Sequence, residues 1–587
     1  MLCPPGVLIV CYSCPLSPTY KLTYLSEAGY CSIEQFNAKK DPFRVAPTNK
    51  IPIPWPHDNK RIPLTPRDGE FIDAIEDIVL DGLKKFGVGH RTTHDQKRTQ
   101  QGFPRPIEDT FIILSRDTDT TRWQEAVDYI HMMANEFTAR SGTTVGVELE
   151  NPYKRYSDIS KAIEPGTAIH RSFLSIEPVV EAEVRKSCSN LWTSIAYHNR
   201  QNKFSTTRDF PGYPSVDPPN SYDSTKRPTV IVFVTPGSMA YWGKIQAQIR
   251  QAIEAVPFEE DVQIALEILP GFNEPSTVPY TAGPVTTSHH PKYQRDISPI
   301  PTLGVSIGPQ LSDTDSGTLG AVLNFQPHGG GQAQKCFLTA YHAIASGDPI
   351  GRSVNDKFGI GLDGRAVTRQ IEISYPACCD GEDSKESLAK YAAGNTSPDR
   401  HLAALKALIE REGVIGEVIH ASGLRYSDSG DRPHRMDWAL VALHPSKDSV
   451  LNSLPERSKF PYWCASVELD FHYYAKLGDV ISQIGIPAAF SWAGKFDRPP
   501  WATAGRVNSM KRTVCWGDGV VSKEVEVLPF GTQFAEGGDD GSMVFNLKKE
   551  WVGMVVGGDS EYAGYITPAA DIIADIEERT GGTITLI

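Results

Sequence analysis

Seven prolines between residues 270 and 301 (Pro270, Pro275, Pro279, Pro284, Pro291, Pro299 and Pro301) divide this 587-residue chain near its middle. Proline fixes φ and lacks an amide N–H, so such a stretch runs extended and joins neither a helix interior nor a central strand. A second cluster of seven lies between residues 40 and 66 (Pro42, Pro47, Pro52, Pro54, Pro56, Pro63, Pro66). The chain is about four times a ~150-residue domain, so several domains are expected. The clusters set their limits: a proline-rich extension over 1–66, a domain over 67–270, a linker over 271–302 and a second domain over 303–587.

Charge narrows the partners. Lys plus Arg number 58 against 71 Asp plus Glu, a formal charge of −13. With no long Lys/Arg block, the chain lacks the electrostatic footprint of a nucleic-acid binder. The longest apolar runs, Val230–Val234 and Gly6–Val10, fall far short of the ~20 residues that cross a bilayer, so no membrane partner is expected. The ten cysteines are too sparse for a disulfide scaffold. Cys11-Tyr-Ser-Cys14 has no second pair at zinc spacing, and Cys378-Cys379 and His289-His290 lack partners at metal spacing, so no metal is expected. Gly237 and Gly243 do not form a phosphate loop, and no cofactor is expected. The amino-terminal stretch lacks the basic start of a secretion signal, so reduced thiols and an intracellular, cytoplasmic setting are the expectation.

The first half contains a repeat. Residues 69–86 place Phe71, Ile75, Ile78, Val79, Leu83 and Phe86 at three- and four-residue spacing, which predicts an amphipathic helix. Phe111–Leu114 reads as a strand, Trp123 to about Ala139 as a helix and Thr144–Leu149 as a strand. Thr229–Val234, Trp242–Val256 and Val262–Ile268 repeat that order, with a tryptophan again opening the helix. Two βαβ units of matched length predict an α/β domain, with residues 207–227 as a loop between them.

After Gly304 the texture changes to short β-rich runs: Leu319–Asn324, Lys335–Thr339, Ile415–Ile419, Trp438–Leu443, Val480–Ile484, Glu524–Leu528, Ser542–Asn546 and Trp551–Val556. Helical spacing persists near Asp399–Arg411 and Ala569–Glu577. Many short strands between Gly, Pro and Asp turns predict an all-β barrel or sandwich, so the whole is read as an α+β multidomain protein.

Three segments of this half carry chemistry: Leu338-Thr-Ala-Tyr-His342, Asp437-Trp-Ala-Leu440, and Gly538-Asp-Asp-Gly-Ser542 running into a strand. In this order they resemble the LTAAH, DIAL and GDSGS motifs of the chymotrypsin/trypsin-like serine proteases. Trp551–Gly558, then Tyr565-Ile-Thr-Pro568 and a terminal helix, resemble that family's last strand and C-terminal helix. Ser316–Ala321 and Lys495–Gly505 are similar to barrel strands of intracellular fungal members. The resemblance covers about residues 300–587 and implies a double β-barrel ending in a helix. It assigns His342 as base, Asp437 as its orienting acid, Gly538, Asp539 and Gly541 to the oxyanion loop, and Phe534, Val556, Gly557 and Gly558 to the specificity pocket.

The departures weigh against hydrolysis. Asp540 stands where the family has its serine, and a carboxylate has no hydroxyl proton to give up. It also puts negative charge where an oxyanion must form; like charges ~4 Å apart repel by about 4 kcal/mol at an effective dielectric of ~20. Losing a triad nucleophile costs about 10⁶-fold in turnover. Ser542, two residues along, lies ~6.5–7 Å away on a strand, beyond the ~3 Å reach of a hydrogen bond. Asp540 is placed to pair with His342 instead, and two carboxylates raise that imidazole's pKa. Pro499 and Pro500 cannot donate to a barrel ladder, Ala343 replaces a family cysteine, and Phe534 makes a bulky pocket floor. His434 and His444 are read as surface residues. The expectation is a pseudo-protease that binds or scaffolds protein or peptide, with no oligomeric state implied. The alternative is an active serine endopeptidase using His342, Asp437 and Ser542. Under either, the first half is a candidate inhibitory or regulatory segment.

Overall fold

The computed structural model describes residues 29–587 except 53–56, 61–65, 90–91, 101–107, 140–143, 157, 203–226, 259–261, 275–300, 313–314, 366, 368, 395–397, 428–432, 448, 454–479, 497–501, 531–533 and 560–562. Cys11, Cys14, Pro499, Pro500, the His289-His290 pair and nearly all of the 207–227 loop lie outside the described residues, as does the linker between 275 and 300.

The amphipathic spacing of residues 69–86 forms α1 (Pro66–Phe86). It sits between β1 (His57–Lys60) and β2 (Thr92–Gln100), and β3 (Glu108–Leu114), α2 (Trp123–Thr138) and β4 (Val145–Glu150) follow. β3 and β4 are parallel, joined through α2, and the sheet order is β4-β3-β2-β1 with Arg44–Val45 beyond β4. Ile75, Val79 and Leu83 of α1 and Trp123, Val127 and Ile130 of α2 pack on Phe111, Ile113, Val147 and Leu149.

The same order recurs in β5 (Asp158–Lys161), α3 (Ala168–Ser187), β6 (Trp192–Asn202), β7 (Arg227–Val234), α4 (Trp242–Glu254) and β8 (Ala265–Pro270). Its strands line up as β8-β7-β6-β5, with β7 and β8 parallel. The repeat is therefore longer than a βαβ pair: each unit carries a further strand, helix and strand in front. Helix α3 escapes sequence reading because Pro178 interrupts its pattern. Strand β6 escapes it because its His198, Asn199 and Arg200 are polar yet buried.

From residue 306 the described residues are built mainly on short β-strands. An eight-strand sheet runs β11 (Gly317–Thr318), β10 (Ser306–Pro309), β14 (Glu372–Tyr375), β15 (Gly413–Ala421), β16 (Ala439–Leu443), β13 (Gln334–Thr339), β12 (Val322–Gln326) and β24 (Thr583–Leu586). It curls into a half-barrel around Leu323, Phe337, Leu338, Ile373, Val418 and Val441. Two helices, Cys378–Gly394 and Pro398–Arg411, are inserted between β14 and β15, and the first was not foreseen.

The second barrel closes. β17 (Trp492–Phe496) pairs β18 (Ala502–Val507), and β18 pairs β20 (Val521–Pro529), which meets β23 (Gly564–Pro568). β23 pairs β22 (Glu550–Asp559), β22 pairs β21 (Met543–Asn546), and β21 returns to β17. This six-strand ring with its half-barrel is consistent with the double barrel that the sequence resemblance implies, and α5 (Ala569–Thr580) follows as the terminal helix. Among the described residues no helix is long and apolar enough to cross a membrane.

The halves dock. β19 (Arg512–Cys515) forms a hairpin with β20 and also pairs β6, Thr513 with Ile195 and Val514 with Ser194, so one sheet runs from barrel to α/β unit. Behind it, Arg512 binds Glu526 at 2.9 Å and Asp559 at 2.8 Å. His198 meets Glu526 at 3.0 Å. Of the polar residues that hid β6, His198 is thus satisfied across this junction, whereas Arg200 pairs Glu267 at 3.0 Å within the α/β unit. Asn273–Glu274, expected as linker, form a short strand β9 on β22.

Candidate functional site

Leu338 pairs Leu440 and Thr339 pairs Ala439, so β13 and β16 end side by side. His342 follows one strand and Asp437 precedes the other, and their meeting is a consequence of that register. His342 Nδ1 lies 2.6 Å from Asp437 Oδ2, and the His342 amide donates to Asp437 Oδ1 at 3.0 Å.

Asp540 comes from the second barrel, on the turn entering β21. The Asp539 amide donates to the Glu536 carbonyl at 3.1 Å, and the Ser542 amide donates to the Asp539 carbonyl at 2.9 Å. Gly538 and Gly541 have φ of +94° and +91°, a region that suits glycine. A Cβ on Gly541 would sit 2.5 Å from Thr339 Oγ1 and 2.7 Å from the Thr318 carbonyl. The half-barrel holds the turn: the Thr318 amide donates to the Asp540 carbonyl at 3.0 Å, and Thr318 Oγ1 donates to the Gly538 carbonyl at 2.8 Å.

This brings Asp540 Oδ2 to 2.8 Å from His342 Nε2. His342 is 2% exposed, and Asp437 and Asp540 are 1% each. Burial alone would lower the imidazole pKa, but the carboxylates of Asp437 and Asp540 outweigh it and hold His342 at about 9. Burial would likewise raise Asp437, yet the His342 and Arg435 cations keep its pKa below the usual carboxylate range.

Ser542 is not part of this line. Fully buried, its hydroxyl donates to the Phe496 carbonyl at 3.5 Å, while both ring nitrogens of His342 face carboxylates. Phe534 is fully buried, its ring against Gly564, where a Cβ would lie 2.5 Å from the ring. Val556, Gly557 and Gly558 lie on β22. His444 is exposed as expected. His434 is not a surface residue: it is 8% exposed, its Nδ1 is 2.9 Å from Ser427 Oγ and its Nε2 is 3.3 Å from Asp571.

Two buried cations were missed. Arg435 Nε donates to Asp437 Oδ2 at 3.1 Å, so the site reads Arg435, Asp437, His342, Asp540 with charges alternating. Its position two residues before Asp437 was a readable signal, since that spacing returns to the same side of an extended chain. Lys495 of β17 is fully buried and binds Asp539 at 2.9 Å. A lone lysine in a strand gave no such signal. The carboxylates of Asp437 and Asp540 on either side of the ring favour the protonated imidazole of His342.

No protein-family model matches the chain, and no curated protein matches it in sequence. The solved structures it resembles are chymotrypsin/trypsin-like serine proteases. Protease A of Thermobifida fusca is 13% identical, with 49% of this chain and 98% of that one covered at a TM-score of 0.26. A glutamic-acid-specific serine protease is 14% identical, covering 49% and 100% at 0.26. The chymotrypsin of Cellulomonas bogoriensis is 12% identical, covering 49% and 97% at 0.24.

Proposed function

We propose that residues 303–587 form a trypsin-like domain without hydrolytic chemistry, a pseudo-protease that binds or scaffolds protein, joined to an α/β domain over 67–270. The observation that carries this reading is Asp540 Oδ2 at 2.8 Å from His342 Nε2, where a working site needs a hydroxyl. A general base must be unprotonated, and the two carboxylates that raise the His342 pKa to about 9 favour its protonated form at pH 7. The hydrogen bond from Ser542 to Phe496 speaks against the endopeptidase alternative.

The test is a fluorophosphonate activity probe on the full chain, alongside Asp540→Ser. The wild type is expected to remain unlabelled, and Asp540→Ser to gain labelling at position 540. Covalent modification of wild-type Ser542, or peptide turnover that disappears in both His342→Ala and Ser542→Ala, would overturn the reading.

A further inference from the structure

Residues 350–370 differ from the rest of the chain in charge. The whole protein carries −13, yet this stretch holds four cations (Arg352, Lys357, Arg365, Arg369) against two acids (Asp356, Asp363). Both acids are engaged. Asp356 binds Arg352 at 2.7 Å and accepts from the Tyr341 hydroxyl at 2.8 Å, and Asp363 binds Arg579. Arg369 comes only to 4.0 Å from Asp348, whose carboxylate already accepts from the Gly351 amide and from Asn355 Nδ2, each at 3.0 Å. Lys357 and Arg365 have no carboxylate partner among the described residues.

These cations gather on an aromatic ring. Lys357 Nζ and the Arg365 guanidinium each lie 5.0 Å from the centre of Phe358, which is 47% exposed. Phe358 ends the short helix Arg352–Phe358, and Val354, four residues back on the same face, is exposed too. Ile350, in the turn ahead of the helix, is 86% exposed. Beyond Arg365, the exposed Val367 lines a shallow crevice with Arg365, Arg369 and Asn355. The helix is anchored from below, because Tyr341, which donates to Asp356, is fully buried beside His342. Single exposed apolar side chains are ordinary, but a cluster with a charged rim marks an interaction surface. Aromatic and arginine anchors supply most of the energy at such surfaces. A cationic rim repels a basic partner and selects an acidic one.

We propose that the surface centred on Phe358, with Ile350 and Val354 beside it and Lys357, Arg365 and Arg369 at its rim, docks an acidic segment of a protein partner. The segment carries Leu or Phe side chains between Asp and Glu: the apolar groups cover Phe358 and Val354, and a carboxylate sits at the crevice between Arg365 and Arg369. This rests on the protein-binding reading and deepens it, placing the contact on the half-barrel, away from the Asp540 turn.

The test is fluorescence anisotropy on the full-length chain with a fluorescein-labelled peptide, Asp-Glu-Leu-Glu-Asp-Phe-Leu-Glu-Glu, and a control in which Ser replaces its Leu and Phe. Wild type is expected to bind the first peptide at least about tenfold more tightly than the control, because both the ring and the cations contribute. Phe358→Ser should weaken binding about tenfold, and Arg365→Glu/Arg369→Glu should abolish it. All three are surface changes, so urea midpoints should match the wild type. No binding, equal affinity for the two peptides, or affinity untouched by Phe358→Ser refutes the surface. Single-stranded DNA or phosphatidylserine vesicles bound as tightly, and lost in the same variants, would show a general polyanion site and overturn the protein partner. The two readings fail separately: fluorophosphonate labelling of wild-type Ser542 overturns the pseudo-protease and leaves a Phe358-dependent affinity standing, whereas absent peptide binding removes this surface alone.

Discussion

Replacing Asp540 with asparagine keeps an acceptor at His342 Nε2 and removes one of the two charges that hold this imidazole protonated. Unit charges ~4 Å apart at an effective dielectric of ~20 interact by about 4 kcal/mol, or about three pKa units. That figure is a ceiling, because the site relaxes around the lost charge. We expect His342 to fall from about 9 by about two units, into the neutral range. The imidazole Cε1–H chemical shift, followed by NMR across pH 5–10, measures this directly. A second readout follows from linkage. A histidine raised from 6.5 to about 9 adds stability that is fully present below pH about 6.5 and lost as pH rises through about 9. The shift of about 2.5 units corresponds to about 3 kcal/mol. Urea midpoints of the wild type should therefore drop between pH 7 and 10, and those of Asp540→Asn should drop less and at lower pH. A wild-type His342 titrating at 6.5 or below, or a pKa unmoved by Asp540→Asn, would refute the electrostatic reasoning.

Two further substitutions probe the supports of the site. Lys495→Met strands Asp539 in the interior; breaking a buried pair costs about 3–5 kcal/mol, seen as a lower urea midpoint, and Lys495→Met/Asp539→Asn should recover part of it. Arg512→Met leaves Glu526 and Asp559 buried without their cation, at a similar cost of about 3–5 kcal/mol. Hydrogen exchange should then show Ser194–Ile195 and Thr513–Val514 loosening together, and loosening on one side only would show that the shared sheet is not cooperative.

Legibility followed the range of the interaction. The period of apolar residues placed α1, α2 and α4 within a few residues, because a helix on a sheet repeats its buried face locally. Helix Cys378–Gly394 was not seen, its polar and small residues offering little such rhythm. His342, Asp437 and Asp540 were found because each stands at a strand end or tight turn with a local pattern of its own. Lys495 stands in a strand where the pattern calls for nothing charged, and only its partner Asp539 explains it, whereas Arg435 could have been read from its spacing to Asp437.

The order of the elements, the acid at position 540 and the tryptophan opening each repeated helix are properties of the amino-acid order alone. Tertiary structure decided that β6 and β19 share a sheet across some 320 residues of chain, and that Asn273–Glu274 lie on β22. It also decided that His342 is held between two carboxylates and not beside Ser542. Side-chain periodicity records which face of an element is buried, whereas the main-chain hydrogen bonds that choose its neighbour are common to nearly every residue type and leave no mark in the sequence.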